Sequence, residues 1–217
     1  MKKILVITLI VIIIAIIYGI FKDNKIYYVS ISDRITTNYT YKDYIRDYLD
    51  ELNILEKYND ISGIDNRITD IIRNIEDNKE YDGKNIKNIL IKADILTLSV
   101  GYNDIITKME KYNMYAMYGY IDTYLSDLDK LFHLIRDYDK EKVIMIGYYN
   151  PYDSKYNDII NYINQKVEKL CLKYNIDYID VSDINKYLID GGISIEGEHV
   201  IFDKSRRIID DKIKRKW

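Results

Sequence analysis

Two short segments of the chain hold the residue types that acyl-transfer chemistry uses. In Ala93 to Asp104 (ADILTLSVGYND) an apolar run leads straight into Gly101-Tyr102-Asn103-Asp104. Gly101 lets the backbone leave a strand sharply, and Asn103 brings an amide that both donates and accepts. A Gly-x-Asn at a strand's carboxyl end can set a backbone N–H and a side-chain NH2 around one point, as an oxyanion requires. The same residues also suit a plain strand-to-helix turn with Asp104 as its N-cap. The second segment, Glu196-Gly197-Glu198-His199, reads as a loop before the last helix. His199 there can serve as a base, with Glu196 three residues earlier as the acid that orients it. It can equally be an exposed loop histidine among surface glutamates. The other histidine, His133, lies mid-helix in LDKLFHLIRD and reads as structural.

The elements that would position these residues alternate along the chain. Strands are expected at Ile26–Ser32, near Tyr58–Ile61, at Ile95–Val100, at Val143–Tyr149 and at Ile176–Val181. Helices are expected over 41–52, 65–75, 86–92, 121–138, 157–174 and 203–214, where apolar residues recur at helical spacing. Five strands alternating with helices predict an α/β fold, a three-layer α/β/α sandwich around a five-stranded parallel sheet. In such sheets ligands sit outside the carboxyl ends of the strands.

The amino-terminal segment has a different character. Ile4 to Phe21 is 18 residues without a charge, with Lys2 and Lys3 before it and Lys22 after it. As a helix it would span about 27 Å, close to the thickness of a bilayer's hydrocarbon core. No small-residue cleavage site or lipid-bearing cysteine follows, so residues 1–22 read as an uncleaved transmembrane helix and 23–217 as one domain. The flanking lysines favour a cytoplasmic N-terminus and an extracytoplasmic domain at the cell membrane. The single cysteine, Cys171, excludes an internal disulfide and a cysteine-rich metal site. A net charge of −3 with the signs well mixed gives no basis for a nucleic-acid partner. No cofactor or metal is called for. The 24 tyrosines read as compositional drift.

Taken in order, Ser32-Asp33-Arg34-Ile35-Thr36, Gly63, Gly101-Tyr102-Asn103-Asp104, Tyr148-Tyr149-Asn150-Pro151 and Glu196-Gly197-Glu198-His199 resemble the SGNH/GDSL hydrolases. These are esterases and acylhydrolases on a flavodoxin-like fold, and the closest likeness is to the membrane-anchored type of low-GC Gram-positive bacteria. The resemblance implies that Gly63 and Asn103, with the Gly101 turn, form an oxyanion hole. It implies that His199 is the base and Glu196 its acid partner, where the family has aspartate. Asp33 matches the family's aspartate and Ser32 stands in place of its glycine. The nucleophile position falls on Arg34, whose permanently charged guanidinium cannot attack a carbonyl. The expectation is therefore a degenerate hydrolase with weak or no activity. Its pocket of Arg34, Gly101 and Asn103 would suit a small anionic or ester-bearing ligand. Two alternatives stay open: an active esterase or deacetylase using Ser32 or water with His199, and a non-catalytic binding protein of the cell surface.

Overall fold

A computed structural model describes residues 7–13, 25–33, 40–63, 67–81, 83–109, 111, 113–138, 142–152, 154–189 and 192–216. Arg34 and most of the apolar segment expected to cross the membrane lie outside these residues. Residues 7–13 are helical with exposed apolar side chains. Among the described residues no helix is long and apolar enough to cross a membrane.

Strand β1 (Ile26–Ser32) is buried along its whole length, as a β-branched and aromatic run flanked by strands on both sides should be. It pairs in parallel with β2 (Leu55–Ser62) on one side and β5 (Ile95–Ser99) on the other. Strand β6 (Lys142–Ile146) pairs with β5, and β7 (Asp177–Ile179) with β6, giving the parallel order β2-β1-β5-β6-β7. Two antiparallel hairpins, β3–β4 (Glu80–Tyr81 and Lys84–Asn85) and β8–β9 (Leu188–Ile189 and Gly192–Ile193), lie outside this sheet. They are too short to leave a pattern in the sequence.

Helix α1 (Tyr41–Glu51) connects β1 to β2 and packs on α7 (Ile195–Lys216) over one face of the sheet. The other face carries α2 (Ile68–Glu76), α3 (Ile86–Lys92), α5 (Met114–Arg136) and α6 (Asn157–Lys173), with α2 packed on α5 and α5 on α6. A short helix, α4 (Tyr102–Met109), opens directly after β5. This is the expected sandwich. In α1, Ile45 and Leu49 are fully buried, each contributing about 1.5–3 kcal/mol through the apolar area removed from water.

The two faces of the sheet differ in chemistry. Side chains alternate along a strand, so Val29 and Ile31 point toward α2 while Tyr28, Ser30 and Ser32 point toward α1. Register places Tyr58, Asp60 and Ser62 of β2, and Thr97 and Ser99 of β5, on this hydroxyl-rich side. Tyr28 and Thr97 share a 3.0 Å hydrogen bond, and Tyr28 stacks on Tyr58 at 5.1 Å between ring centres. The Lys42 ammonium of α1, only 6% exposed, reaches Asp60 at 2.7 Å. This side of the core is thus held by polar pairs as well as by packing.

Two helices begin earlier than their sequence pattern indicates. Helix α5 starts at Met114 because Asn113 caps it, its side chain accepting from the Ala116 N–H at 2.9 Å. Helix α7 starts at Ile195, where the Ser194 carbonyl accepts the Glu198 N–H at 3.0 Å and the Ser194 hydroxyl meets the Gly197 N–H at 3.3 Å. His199 therefore sits on a helix and not in a loop.

Cys171 is fully buried on the inner face of α6, and burial pushes its thiol up to about 12. A thiolate is the reactive form. The native chain should show no reaction with a disulfide-exchange reagent at pH 8, and one titratable thiol per chain should appear in denaturant.

Candidate active site

The carboxyl end of β1 and the start of α4 are fastened together by one residue pair. Asp33 is fully buried, and its N–H donates to the Ser99 carbonyl at 3.1 Å. Its Oδ2 accepts the Asn103 N–H at 3.0 Å, while Asn103 Nδ2 donates to the Asp33 carbonyl at 2.6 Å. A side-chain amide carries two N–H hydrogens, and this bond uses one of them. Asn103 is half-buried, so the second can serve a ligand oxygen.

Gly101 makes this turn possible. Its φ is +86°, and a Cβ there would stand 2.7 Å from the Tyr124 hydroxyl and 2.9 Å from Ile68 Cδ1. Tyr124 and Tyr148 are joined through their hydroxyls, and the Tyr148 hydroxyl donates to the Val100 carbonyl at 2.7 Å. Gly101→Ala combines a left-handed backbone cost of about 1–2 kcal/mol with overpacking of about 1–3 kcal/mol. A loss near 3 kcal/mol is expected in urea unfolding.

Asp104 does not cap its own helix. Its Oδ2 accepts the Ile68 N–H at the start of α2, at 3.1 Å, tying the β2–α2 and β5–α4 connections together. Gly63 lies at the end of β2 with φ +73°, its N–H 3.4 Å from the Ser32 carbonyl. That hydrogen bond is long and weak. After β6, Asn164 holds Tyr148 on both backbone sides, accepting its N–H at 2.9 Å and donating to its carbonyl at 2.7 Å. The Asn150 side chain donates to Asn157 Oδ1 at 2.7 Å and accepts the Tyr152 N–H at 3.0 Å. All these strand ends are fixed at one edge of the sheet.

At the start of α7 the two glutamates part company. Glu196 is exposed, and its carboxyl is held below the usual range first by its own backbone N–H, then by Ser194, with His199 the least of the favourable causes. Glu198 turns inward at 9% exposure and accepts the Tyr41 N–H at 2.9 Å, at the head of α1. His199 is exposed with its ring 4.0 Å from that of Tyr44, and among the described residues it has no hydrogen-bond partner. No bond between Glu196 and His199 is formed in this arrangement.

Two recesses flank the Asp33–Asn103 junction. On the α1 and α7 side, Ser32, Ser99, Lys42 and Glu198 meet the apolar walls of Ile146, Val181, Ile193 and Ile201 around a cavity of about 40 Å³. His199 is not part of that lining. On the α2, α4 and α5 side a wider polar groove starts at Asn103. Sequence reasoning gave no site role to Lys42 or to Glu198. Helical spacing from the buried Ile201, Ser205 and Ile209 back to Glu198 was the signal available. Among the described residues, no group of three or more His, Cys, Asp or Glu side chains is arranged to hold a metal ion.

No protein-family model matches the chain, and no curated protein sequence does. Solved structures do match. The chain is similar to a lipase from a goat-rumen metagenome, with a TM-score of 0.65 and 20% identity over 83% of this chain and 95% of the other. It is also similar to an acetylxylan esterase from Geobacillus stearothermophilus, with a TM-score of 0.63 and 15% identity over 83% and 92%. The chain thus shares the fold of these two enzymes, a five-stranded parallel sheet covered by helices on both faces.

Proposed function

We propose that this is a membrane-anchored, extracytoplasmic SGNH-type hydrolase-like protein whose acyl transfer is weak or absent, because Arg34 stands at the nucleophile position. The observation that carries the reading is the Asp33–Asn103 lock. It presents an amide donor at the strand end where an esterase of this fold develops negative charge. The oxyanion side of the machinery is preorganised, while the nucleophile side is substituted. His199 and Glu196 are the base and its acid partner in this reading, Gly63 and Gly101 complete the donor turn, and residues 4–21 provide the anchor.

A second reading rests on Ser32. Its hydroxyl lines the small cavity with Ser99, Lys42 and Glu198, so a buried hydroxyl and two ionisable groups share one enclosed space. Lys42 is already paired with Asp60 at 2.7 Å, so its ammonium is committed to that carboxylate. The two readings separate on hydrolysis of 4-nitrophenyl acetate by the full chain. The first expects background rates that neither Ser32→Ala nor His199→Ala changes. Turnover lost in Ser32→Ala would replace it with the second.

A further inference from the structure

We propose that the groove beginning at Asn103 is a polyol subsite, which holds the hydroxyl-rich alcohol portion of an ester or its unreactive analogue. This deepens the hydrolase-like reading and rests on it for the position of the carbonyl.

The groove is an open cavity of about 560 Å³, within the roughly 300–1,000 Å³ typical of ligand sites. Every side chain along it carries a donor or an acceptor, among them Arg67, Asp104, Thr107, Lys108, Tyr120 and Asp127. An acyl chain laid there would strip water from these groups and return no hydrogen bonds. The aliphatic walls lie instead around the 40 Å³ cavity across the junction, which has room only for a short acyl group. Three cations (Arg67, Lys108 and Lys111) and three carboxylates (Asp70, Asp104 and Asp127) line the groove, so a simple anion meets as much repulsion as attraction. A neutral hydroxyl suits both, since it donates to a carboxylate and accepts from a guanidinium or ammonium group.

The groove is also organised before any ligand arrives. Asp104 is fixed by the Ile68 N–H at 3.1 Å, and burial holds its carboxyl above the usual range. Lys108 sits 5.2 Å from the centre of the Tyr120 ring. Arg67 and Asp127 form no ion pair with a described residue, although both line the same space. Each keeps its hydrogen-bonding capacity for a ligand.

The test is calorimetric titration of the detergent-solubilised full chain with xylotetraose and cellotetraose, alongside octanoate and inorganic phosphate. Binding of a neutral tetrasaccharide is expected, weakened about tenfold or more by Arg67→Ala and by Asp127→Asn, as for lost charge-assisted hydrogen bonds. Octanoate and phosphate should neither bind the groove nor displace the sugar. Absence of tetrasaccharide binding, affinity unchanged in both variants, or displacement by phosphate would each overturn the subsite. If both variants lose affinity while Arg34→Ser gains no esterase activity, the subsite stands and the hydrolase reading falls. Esterase activity gained by Arg34→Ser with no sugar binding rejects the subsite alone.

Discussion

Arg34→Ser should convert a chain with background esterase activity into one that hydrolyses 4-nitrophenyl acetate about 10²-fold faster or more. The substitution supplies the attacking hydroxyl and removes a fixed positive charge, while the remaining parts of the site stay in place. A positioned oxyanion donor is worth about 10²–10³ in rate, and a general base about 10²–10⁴. Asn103 is already locked through two hydrogen bonds to Asp33. The gained activity should vanish in Arg34→Ser/His199→Ala and fall in Arg34→Ser/Asn103→Ala. It should rise when Glu196→Asp is added, which places there the aspartate that SGNH/GDSL hydrolases carry. Rates indistinguishable from wild type in both Arg34→Ser and Arg34→Ser/Glu196→Asp would mean that His199 and Asn103 do not converge on one reacting atom.

Asp60→Asn should be among the most destabilising single changes outside the apolar core. It leaves the Lys42 ammonium, 6% exposed, without the carboxylate now 2.7 Å away. Breaking a buried pair from one side costs about 3–5 kcal/mol, and the low end applies because Asp60 is 28% exposed. Replacing both partners with apolar residues, Lys42→Met with Asp60→Leu, removes the stranded charge and should recover most of that loss. Urea unfolding of the single and double variants checks both values. A loss below about 1 kcal/mol for Asp60→Asn would show that Lys42 reaches water by another route.

Much of the fold can be read from the chain, because β1, β5 and β6 are short, mainly apolar runs that end at Ser or just before Gly, whereas β2 (LEKYNDIS) and β7 (DYI) carry too many polar residues to stand out. The run before Gly101 and the run before Asn150 needed no further context. The Gly-x-Asn turn was legible for the same reason. A left-handed residue and a side-chain amide are hard to place anywhere except a tight turn.

The rest of the site was hidden by charge and by glycine. Ser194-Ile195-Glu196-Gly197-Glu198 has too few apolar residues to show a helical period, so α7 seemed to start after His199. That reading made Glu196 the natural partner of the imidazole and left Glu198 without a place. In the structure Glu196 stays in solvent at the helix head, and Glu198 faces the small cavity. Lys42 was equally obscure, since a lysine in an amphipathic helix is ordinarily solvated. Only the β1–β2 register shows that Asp60 awaits it on the inner face. The tyrosines misled in the same way. Tyr28, Tyr124 and Tyr148 are buried and bonded through their hydroxyls, so part of what resembled compositional drift is core structure.

The most direct measurement is covalent labelling of the full chain with a fluorophosphonate, followed by mass mapping of the adduct. Such a reagent is captured fastest by an activated hydroxyl opposite an oxyanion hole. The wild-type chain should remain unmodified, and Arg34→Ser should carry one adduct on the introduced serine, lost again when His199 is changed to Ala. An adduct on Ser32 of the wild-type chain would contradict the assignment of Arg34 to the nucleophile position.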